Sequence, residues 1–246
     1  MFKIMVLLKH RPDLSMEQFI ERYEADHAPA HVRRQHHMKR YRRYYLRGVP
    51  YALDGKETEP HYDLVSQLWF EDKQSYEADL DVIRMMLAGN AEGGGQSLID
   101  PSKSNLAFLE VHQTDLPGAN REDYKLRSII LLKRRPDITM EAFIHHYETT
   151  HAQLGFKYAQ QDLYRRHFLH AAPNPLNGKV AEPAYDVVTE ACYTDAEARK
   201  RSRISKAHPD VIAIFEADEA NFIDKRTRQG TRAETYDSVL ARSCPL

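Results

Sequence analysis

The first residues of the chain alternate between apolar and polar positions, and a helical pattern follows them. Residues 2–9 are rich in isoleucine, valine and leucine, which predicts a β-strand, and the Arg-Pro-Asp after it predicts a turn. Ser15 and Gln18, three residues apart, form a capping-box pattern that predicts the start of a helix. One face of this helix is predicted to be buried, because apolar side chains recur at helical spacing at Met16, Phe19, Ile20 and Tyr23.

The same pattern occurs a second time further along the chain. The 22 residues from Leu7 and the 22 from Leu131 share 14 identities, where ordinary amino-acid usage predicts about one or two. Each copy continues with two strands, a helix and a strand, which start in turn near residues 41, 62, 72 and 105 and near residues 164, 185, 194 and 221. The order β-α-β-β-α-β predicts an α+β chain of two tandem ferredoxin-like domains, residues 1–120 and 121–230, followed by a polar C-terminal tail at 231–246.

The third strand of the first copy carries bulky groups on both of its faces. Leu64 and Leu68 alternate with Val65 and Trp69, so both faces of the sheet are predicted to be buried. One face would be covered by the two helices. We expect the other faces of the two copies to pack sheet to sheet within the chain and to enclose a small-molecule pocket.

The overall composition excludes several classes of partner. Lysine and arginine number 35 against 36 acidic residues, so no net field attracts nucleic acid or an anionic membrane. No apolar stretch approaches the ~18 residues that span a bilayer, and the two cysteines, Cys192 and Cys244, form no disulfide framework. The sequence predicts a cytoplasmic protein without nucleic-acid or membrane partners. It also lacks a dinucleotide fingerprint, so we expect no cofactor.

Several sequence blocks carry a family resemblance, once in each copy. The LLK-R-PD block, the F-I-x-x-Y-E-x-x-H-A block and the Tyr-Asp strand resemble the EthD family, and the His-Ala-Pro at residues 27–29 is the most characteristic piece. The resemblance implies a dimeric α+β barrel, formed here within one chain. It also implies a cofactor-free lyase or isomerase, of dehydratase, cyclase or decarboxylase type, acting on a small aromatic or polyketide-like compound. The alternative is a non-catalytic accessory protein of a catabolic or biosynthetic cluster that binds such a compound.

Two histidines extend the buried stripe of the first helix of each copy. His27 and His151 follow at near-3.6 spacing, so both imidazoles are predicted to point inward. Histidine suits general acid or base chemistry because its ordinary pKa is ~6.5. The alternative is a structural histidine at a helix end that is hydrogen-bonded to a backbone carbonyl.

Acidic residues on the third strands are the second set of candidates. Asp63 lies four residues before Gln67, and Asp186 lies four residues before Glu190, so each pair projects from one face of a strand. Carboxylates on a barrel-lining face are costly unless they are paired, and a desolvated glutamate could act as an acid or base. The alternative is that they form salt bridges to arginines of the neighbouring strand, Arg42, Arg43, Arg165 or Arg166.

The two copies differ at positions that we expect to line the pocket. His61, Gln67 and Trp69 in the first copy are replaced by Ala184, Glu190 and Cys192 in the second. This divergence predicts a single productive site, with His27 as the acid or base and with His61 and Asp63 orienting it. The residues predicted to contact substrate are Tyr23, Tyr44, Trp69 and Tyr147. The sequence leaves open whether two copies of the tandem chain form a homodimer.

The histidines of the first copy are candidate metal ligands. His27 and His31 are four residues apart, a spacing that can share a metal on one helix face. Pro29 lies between them and is predicted to end the helix, and the second copy has no equivalent of His31. The sequence therefore predicts no metal.

Overall fold

The computed structural model describes residues 1–51, 61–88, 97–100, 102–115, 124–173, 178–180 and 182–240. Its strands are β1 (Phe2–Leu8), β2 (Met38–Tyr51), β3 (Leu64–Phe70), β4 (Asn105–Asp115), β5 (Leu126–Leu132), β6 (Leu163–Ala171), β7 (Val187–Tyr193) and β8 (Gln229–Val239). Its α-helices are α1 (Met16–Arg22), α2 (Ala28–Arg34), α3 (Lys73–Ala78), α4 (Leu80–Leu87), α5 (Met140–His146), α6 (Ala152–Leu154), α7 (Ala196–Lys206) and α8 (Pro209–Glu219). Single π-helical segments follow α1, α5 and α6, at Tyr23–His27, Tyr147–His151 and Gly155–Ala159.

The eight strands close into one antiparallel barrel. The order around the barrel is β1-β3-β2-β8-β5-β7-β6-β4, so each half of the chain contributes four adjacent strands. The predicted α+β barrel within one chain is therefore confirmed. The barrel interior holds side chains from both half-sheets, and the two sheets also join through their edges, where β2 pairs with β8 and β4 pairs with β6. Closure of this kind leaves neither half with an unpaired edge strand.

The pairing between the halves is at least as extensive as the pairing within them. Strand β4 pairs with β1 of its own half only at Ile4–Leu7, whereas its pairing with β6 of the other half runs along all of Leu163–Ala171. A division into two separate ferredoxin-like domains, at residues 1–120 and 121–230, stays a prediction.

Local sequence signals explain where the first helix of each half begins. The Ser15 hydroxyl accepts a hydrogen bond from the Gln18 amide, and the Gln18 side chain accepts one from the Ser15 amide, so the predicted capping box is confirmed. The Thr139 hydroxyl accepts a hydrogen bond from the Ala142 amide at the start of α5. Asp195 caps helix α7.

The helical path through Pro29 differs from the prediction. Pro29 does not end the helix, because a π-helical segment precedes it and α2 starts at Ala28, which places Pro29 in the first turn of α2. Proline is tolerated there since the first amides of a helix have no partner within that helix. His31 therefore follows His27 on a continuous helical path.

The last strand lies further along the chain than the sequence indicated. Residues from Asn221 form a turn and a 3₁₀ segment at Lys225–Thr227, and β8 runs from Gln229 to Val239. The segment from 231 is therefore not a free tail, at least up to Val239. Its polar composition was misleading because β8 closes the barrel, where backbone pairing to β2 and β5 decides its place.

Three apolar cores surround the barrel wall. One lies between α1, α2 and the outer face of the first-half sheet, and a second lies between α5, α6 and the outer face of the second-half sheet. We call these the first-half layer and the second-half layer. The third core fills part of the barrel interior. Within the described part of the chain, none of the helices is long and apolar enough to cross a membrane.

Candidate functional site

Strand alternation divides the predicted site residues between the two faces of the barrel wall. On β3, Leu64 and Leu68 belong to the first-half layer, whereas Val65 belongs to the interior core. Because successive side chains alternate, Ser66 faces the helices and Gln67 faces the interior. The helix histidines and the strand acids therefore occupy different compartments.

The first-half layer contains a buried group of aromatic and polar side chains. The Tyr23 and Tyr41 hydroxyl oxygens are 2.6 Å apart. The His27 ring lies 4.4 Å from the Tyr23 ring and 4.8 Å from the His31 ring, centroid to centroid. His31 lies 5.3 Å from Tyr41 and is hydrogen-bonded through Nδ1 to the Gln35 side chain. We call Tyr23, His27, His31, Gln35 and Tyr41 the tyrosine–histidine cluster.

Burial sets the protonation of this cluster. Desolvation lowers the pKa of His27 to about 4 and holds that of His31 well below its usual range. Burial also raises the pKa of Tyr23 and of Tyr41. At neutral pH the cluster therefore contains two uncharged imidazoles and two protonated phenols. Such groups can accept and donate hydrogen bonds without bringing a net charge into the core.

Some polar atoms of the first-half layer have no partner. His27 makes no hydrogen bond to any residue that the structure describes, and Ser66 Oγ has no hydrogen-bond partner in the described part of the chain. A buried polar atom without a partner is uncommon in folded proteins.

The second-half layer contains the corresponding residues in a different arrangement. The Asp218 carboxylate pairs with His151 Nδ1 at 2.7 Å and with His146 Nε2 at 2.8 Å. The Tyr147 hydroxyl pairs with Tyr164 at 2.9 Å and with Thr189 at 2.8 Å. Thr189, the equivalent of Ser66, is therefore hydrogen-bonded here. His151 therefore corresponds to the alternative of a structural histidine. Its partner is a carboxylate, however, and not the expected backbone carbonyl.

The aspartates that precede β3 and β7 have an equivalent structural role in both halves. Asp63 accepts hydrogen bonds from Lys9 Nζ at 3.1 Å and from the His10 amide at 3.0 Å, and its other contact is to the His10 ring. Asp186 pairs in the same manner with Lys133 and with the Arg134 amide. Both carboxylates connect the start of their own strand to the segment that follows the neighbouring strand, which is β1 in the first half and β5 in the second. The expected role of Asp63 in orienting His27 is wrong, since no hydrogen bond or ion pair between described residues joins the two.

His61 lies at one end of the barrel, and its hydrogen-bond partners among the described residues are not members of the tyrosine–histidine cluster. Its Nδ1 is 2.6 Å from the Tyr185 hydroxyl, and its backbone amide donates to Gln229. Both partners belong to the second half. The predicted pairing of His61 with His27 is therefore wrong, because the loop before β3 points to the barrel end while helix α1 covers the outer wall.

The barrel interior contains the other predicted acid, Glu190. This side chain is fully buried, and its carboxylate accepts hydrogen bonds from Arg127, from Arg165 at 3.0 Å and from the Tyr44 hydroxyl at 3.3 Å. Burial alone would raise the pKa of Glu190, but the neighbouring cations hold it well below its usual range. Glu190 is therefore an ionised partner of arginine, as one of the alternatives proposed, and is poorly suited to act as an acid.

The predicted substrate contacts are also divided between compartments. Tyr23 and Tyr147 lie in the two layers, whereas Tyr44 and Trp69 lie in the interior, where the Trp69 ring faces the guanidinium groups of Arg40 and Arg42. The sequence reasoning missed His31, Gln35 and Tyr41 as neighbours of His27. Helical spacing from His27 would have identified His31 if the helix had been continued through Pro29.

Metal ligands and a nucleophilic thiol are two further kinds of functional group that the described residues could supply. No group of three or more His, Cys, Asp or Glu side chains is arranged to hold a metal ion in the described ranges. Cys192 is buried in the barrel wall, and burial raises the pKa of its thiol. A thiol of this kind is a core side chain and not a nucleophile. Cys244 lies outside the described residues.

The EthD domain family model matches residues 11–81 and 135–226. These two matches contain strands β2 and β3 of the first half and strands β6 and β7 of the second half. The chain belongs to the EthD family. As an EthD protein it carries the domain twice in tandem, which confirms the resemblance found in the sequence. None of the curated proteins matches the chain.

Solved structures with a similar fold are distant in sequence from this EthD protein. A structure of an anthrone oxidase-like protein has a TM-score of 0.56 and 7% identity, and the match covers 100% of this chain and 96% of the other. A protein from Fusobacterium nucleatum, provisionally described as a monooxygenase, has a TM-score of 0.50 and 8% identity over 97% and 94% of the two chains. These neighbours are dimeric α+β barrel proteins. At such identities the likeness establishes the fold alone.

Proposed function

We propose that the protein is a cofactor-independent lyase or isomerase acting on a small aromatic or polyketide-like compound. The site is the tyrosine–histidine cluster of the first-half layer, and His27 is its general acid or base. His61 and Asp63 have no part in it. Their expected roles pass to His31 and to the hydroxyl pair of Tyr23 and Tyr41.

One observation carries this proposal: His27 is buried, neutral and unpaired among the described residues, whereas the equivalent His151 is held by Asp218. A histidine kept only for structure would be expected to have a partner, as His151 does. A buried neutral imidazole beside two phenols is suited to moving a proton to or from a bound molecule.

The chemistry that fits this arrangement is enolisation of a carbonyl compound. The neutral His27 ring takes a proton from the carbon next to the carbonyl, and the electron pair of that C–H bond moves to the carbonyl oxygen. Tyr23 and Tyr41 share one hydrogen bond, which leaves a hydroxyl proton to stabilise the enolate oxygen. Return of the proton to another carbon completes an isomerisation. Loss of a β-hydroxyl, which leaves as water with that proton, completes a dehydration.

The surroundings favour an aromatic substrate. The cluster lies among the rings of Phe19, Tyr45 and Tyr41, with Phe19 5.3 Å from Tyr23, and such rings pack well against another ring. Ser66 Oγ, on the strand under the cluster, supplies a polar contact for an oxygen substituent. The Arg43–Glu24 pair, at 2.7 Å, balances its own charge at the edge of the layer.

Proton transfer can be tested without the natural substrate. 2-Tetralone has an acidic carbon next to its carbonyl, and deuterium uptake at that carbon is followed by proton NMR in deuterated buffer. The wild-type protein is expected to accelerate uptake over buffer alone. His27→Gln is expected to lose about 10²-fold or more of this acceleration, whereas the matched variant His151→Gln should retain it.

Equal losses in the two variants would contradict a single productive site. Binding of 2-tetralone with no acceleration of exchange in the wild type would contradict the enzyme proposal and favour the accessory binding protein. Binding is read in the same samples from shifts of the histidine ring protons, which also verify that each variant is folded.

A further inference from the structure

The barrel interior carries cationic side chains at one end. Lys3 on β1 faces Trp69 on β3, and β2 places Arg40 across from Trp69 in the next pair. Both burial and the proximity of Arg165 and Arg40 lower the pKa of Lys3. Lys3 forms no ion pair with any acid among the residues that the structure describes. Its ammonium group therefore faces a region of positive potential.

The two carboxylates of this region are each shared by two arginines. Glu190 binds Arg127 and Arg165, while Asp237 binds Arg42 at 2.6 Å and also binds Arg40. Neither carboxylate reaches Lys3. A cation in a partly buried site without a counter-ion is unfavourable unless an anion binds beside it.

Unpaired polar atoms lie next to this region, deeper in the barrel. Gln67 and His167 are each 1% exposed, and Gln67 Nε2 is 3.5 Å from His167 Nδ1. That contact makes Nδ1 the acceptor, so the ring proton of neutral His167 is on Nε2. His167 Nε2 faces the Glu190 carboxylate at 3.7 Å, whereas Gln67 Oε1 is unpaired in the described part of the chain. One open acceptor thus faces the interior.

The spacing between these features matches a small ring. Gln67 and Trp69 are two residues apart on β3, about 6.6 Å at ~3.3 Å per residue. The Trp69 indole and the Tyr44 ring supply flat apolar surfaces at this level, and the leucines and valines of the interior core lie beyond them. An anion with an aromatic body would fill the interval between Lys3 and Gln67.

We infer that the barrel interior binds a small aromatic carboxylate, at a site separate from the tyrosine–histidine cluster. The carboxylate pairs with Lys3 at the basic end, the ring lies beside Trp69, and a ring hydroxyl donates to Gln67 Oε1. The two sites lie on opposite faces of the same wall, since Ser66 and Gln67 project to opposite sides of β3. Occupation of the interior does not depend on chemistry at His27.

Calorimetric titration with 4-hydroxybenzoate tests this site, with the neutral 4-hydroxybenzamide as the matched probe. Trp69 is the only tryptophan of the chain, so a change in its emission during the same titration locates the ligand in the barrel. We expect 4-hydroxybenzoate to bind at least tenfold more tightly than the amide and to shift the Trp69 emission.

Two variants and two controls sharpen the test. Lys3→Met should weaken binding at least tenfold, and Gln67→Leu, which removes the acceptor for the ring hydroxyl, should weaken it about tenfold. Lys73→Met, on the exposed side of α3, and His27→Gln should bind as the wild type does. Thermal melting of each variant without ligand verifies that it is folded.

Several results would overturn the inference. Equal affinity for acid and amide would remove the role of charge, and equal affinity for inorganic phosphate would remove the role of the ring. Wild-type binding by folded Lys3→Met or Gln67→Leu protein would place the ligand elsewhere, as would loss of binding in His27→Gln. Absence of any heat or emission change up to millimolar 4-hydroxybenzoate would mean that the interior is a closed charged core.

Discussion

The two halves of the barrel place the same histidine at the same helix position and surround it differently. His27 follows Tyr23 and precedes His31, with no carboxylate in its hydrogen-bonding range among the described residues. His151 follows Tyr147 and is fixed by Asp218. One turn further along, His31 is replaced by Gly155, whose Cα faces the Tyr164 ring. A shared sequence block therefore gives a structural residue in one half and an open, neutral imidazole in the other.

The strand positions show the opposite division. The interior of the second half carries Glu190, which is fully paired, while the equivalent Gln67 in the first half makes a single long contact. The first half therefore keeps open polar groups on both sides of its wall. The second half satisfies them and supplies rigidity. This difference can be tested separately on each side.

The largest effect is expected at Glu190. Glu190→Gln keeps the shape of the side chain and removes the charge that holds Arg127 and Arg165, which leaves buried guanidinium groups without a counter-ion. We expect the free energy of unfolding to fall by about 3 to 5 kcal/mol, measured by urea denaturation. The matched change in the first half, Gln67→Leu, should cost about 1 kcal/mol. Equal losses would contradict the unequal roles of the two strands.

The next effect is the pH dependence of the free energy of unfolding that comes from His27. Because the pKa of His27 is about 4 in the folded protein and ~6.5 in the unfolded chain, the unfolded chain takes up a proton first as the pH falls. Stability is thus greatest above pH 6.5 and declines between pH 6.5 and 4. The gap corresponds to about 3 kcal/mol from His27.

This decline is measured by denaturation at a series of pH values. His27→Gln should flatten the curve in that range, leaving the part that comes from His31, whose pKa is lowered in the same direction. His151→Gln is the matched control for removal of a buried helix histidine, here one that pairs with Asp218. A slope unchanged in His27→Gln would mean that His27 is not buried as a neutral ring.

The sequence was sufficient to predict most of the helices and strands. It was not sufficient to predict what each of their faces contacts. Helical spacing correctly predicted that Tyr23 and His27 are buried, but periodicity says only that a face is covered and not by what. The helix stripe packs on the outer wall, whereas the strand acids face either the strand ends or the interior. His27 and Asp63 were therefore predicted to meet although the sheet lies between their compartments.

Long-range pairing was the other part that the sequence could not supply. The position of β8 depends on two edges that come from β2 and β5, nearly 190 and 100 residues earlier in the chain. Its Thr, Arg and Glu residues have no apolar alternation to mark it. In the same way, nothing near His151 in sequence indicated Asp218, which reaches it from helix α8. The duplication was visible because it is local identity.

The smallest effect on stability is expected from the paired tyrosine hydroxyls, and it separates structure from function most directly. Tyr147→Phe removes contacts to both Tyr164 and Thr189, whereas Tyr23→Phe removes only the contact to Tyr41. At about 1 kcal/mol for each net hydrogen bond, Tyr147→Phe should cost up to about 2 kcal/mol of unfolding free energy and Tyr23→Phe about 1 kcal/mol. The order should reverse for proton transfer. Tyr23→Phe should lower the acceleration of 2-tetralone exchange about tenfold or more, because the enolate loses a donor, while Tyr147→Phe should leave it unchanged. Denaturation and NMR exchange on the same two proteins give both orders, and a larger loss of exchange in Tyr147→Phe would place the proton-transfer site in the second half.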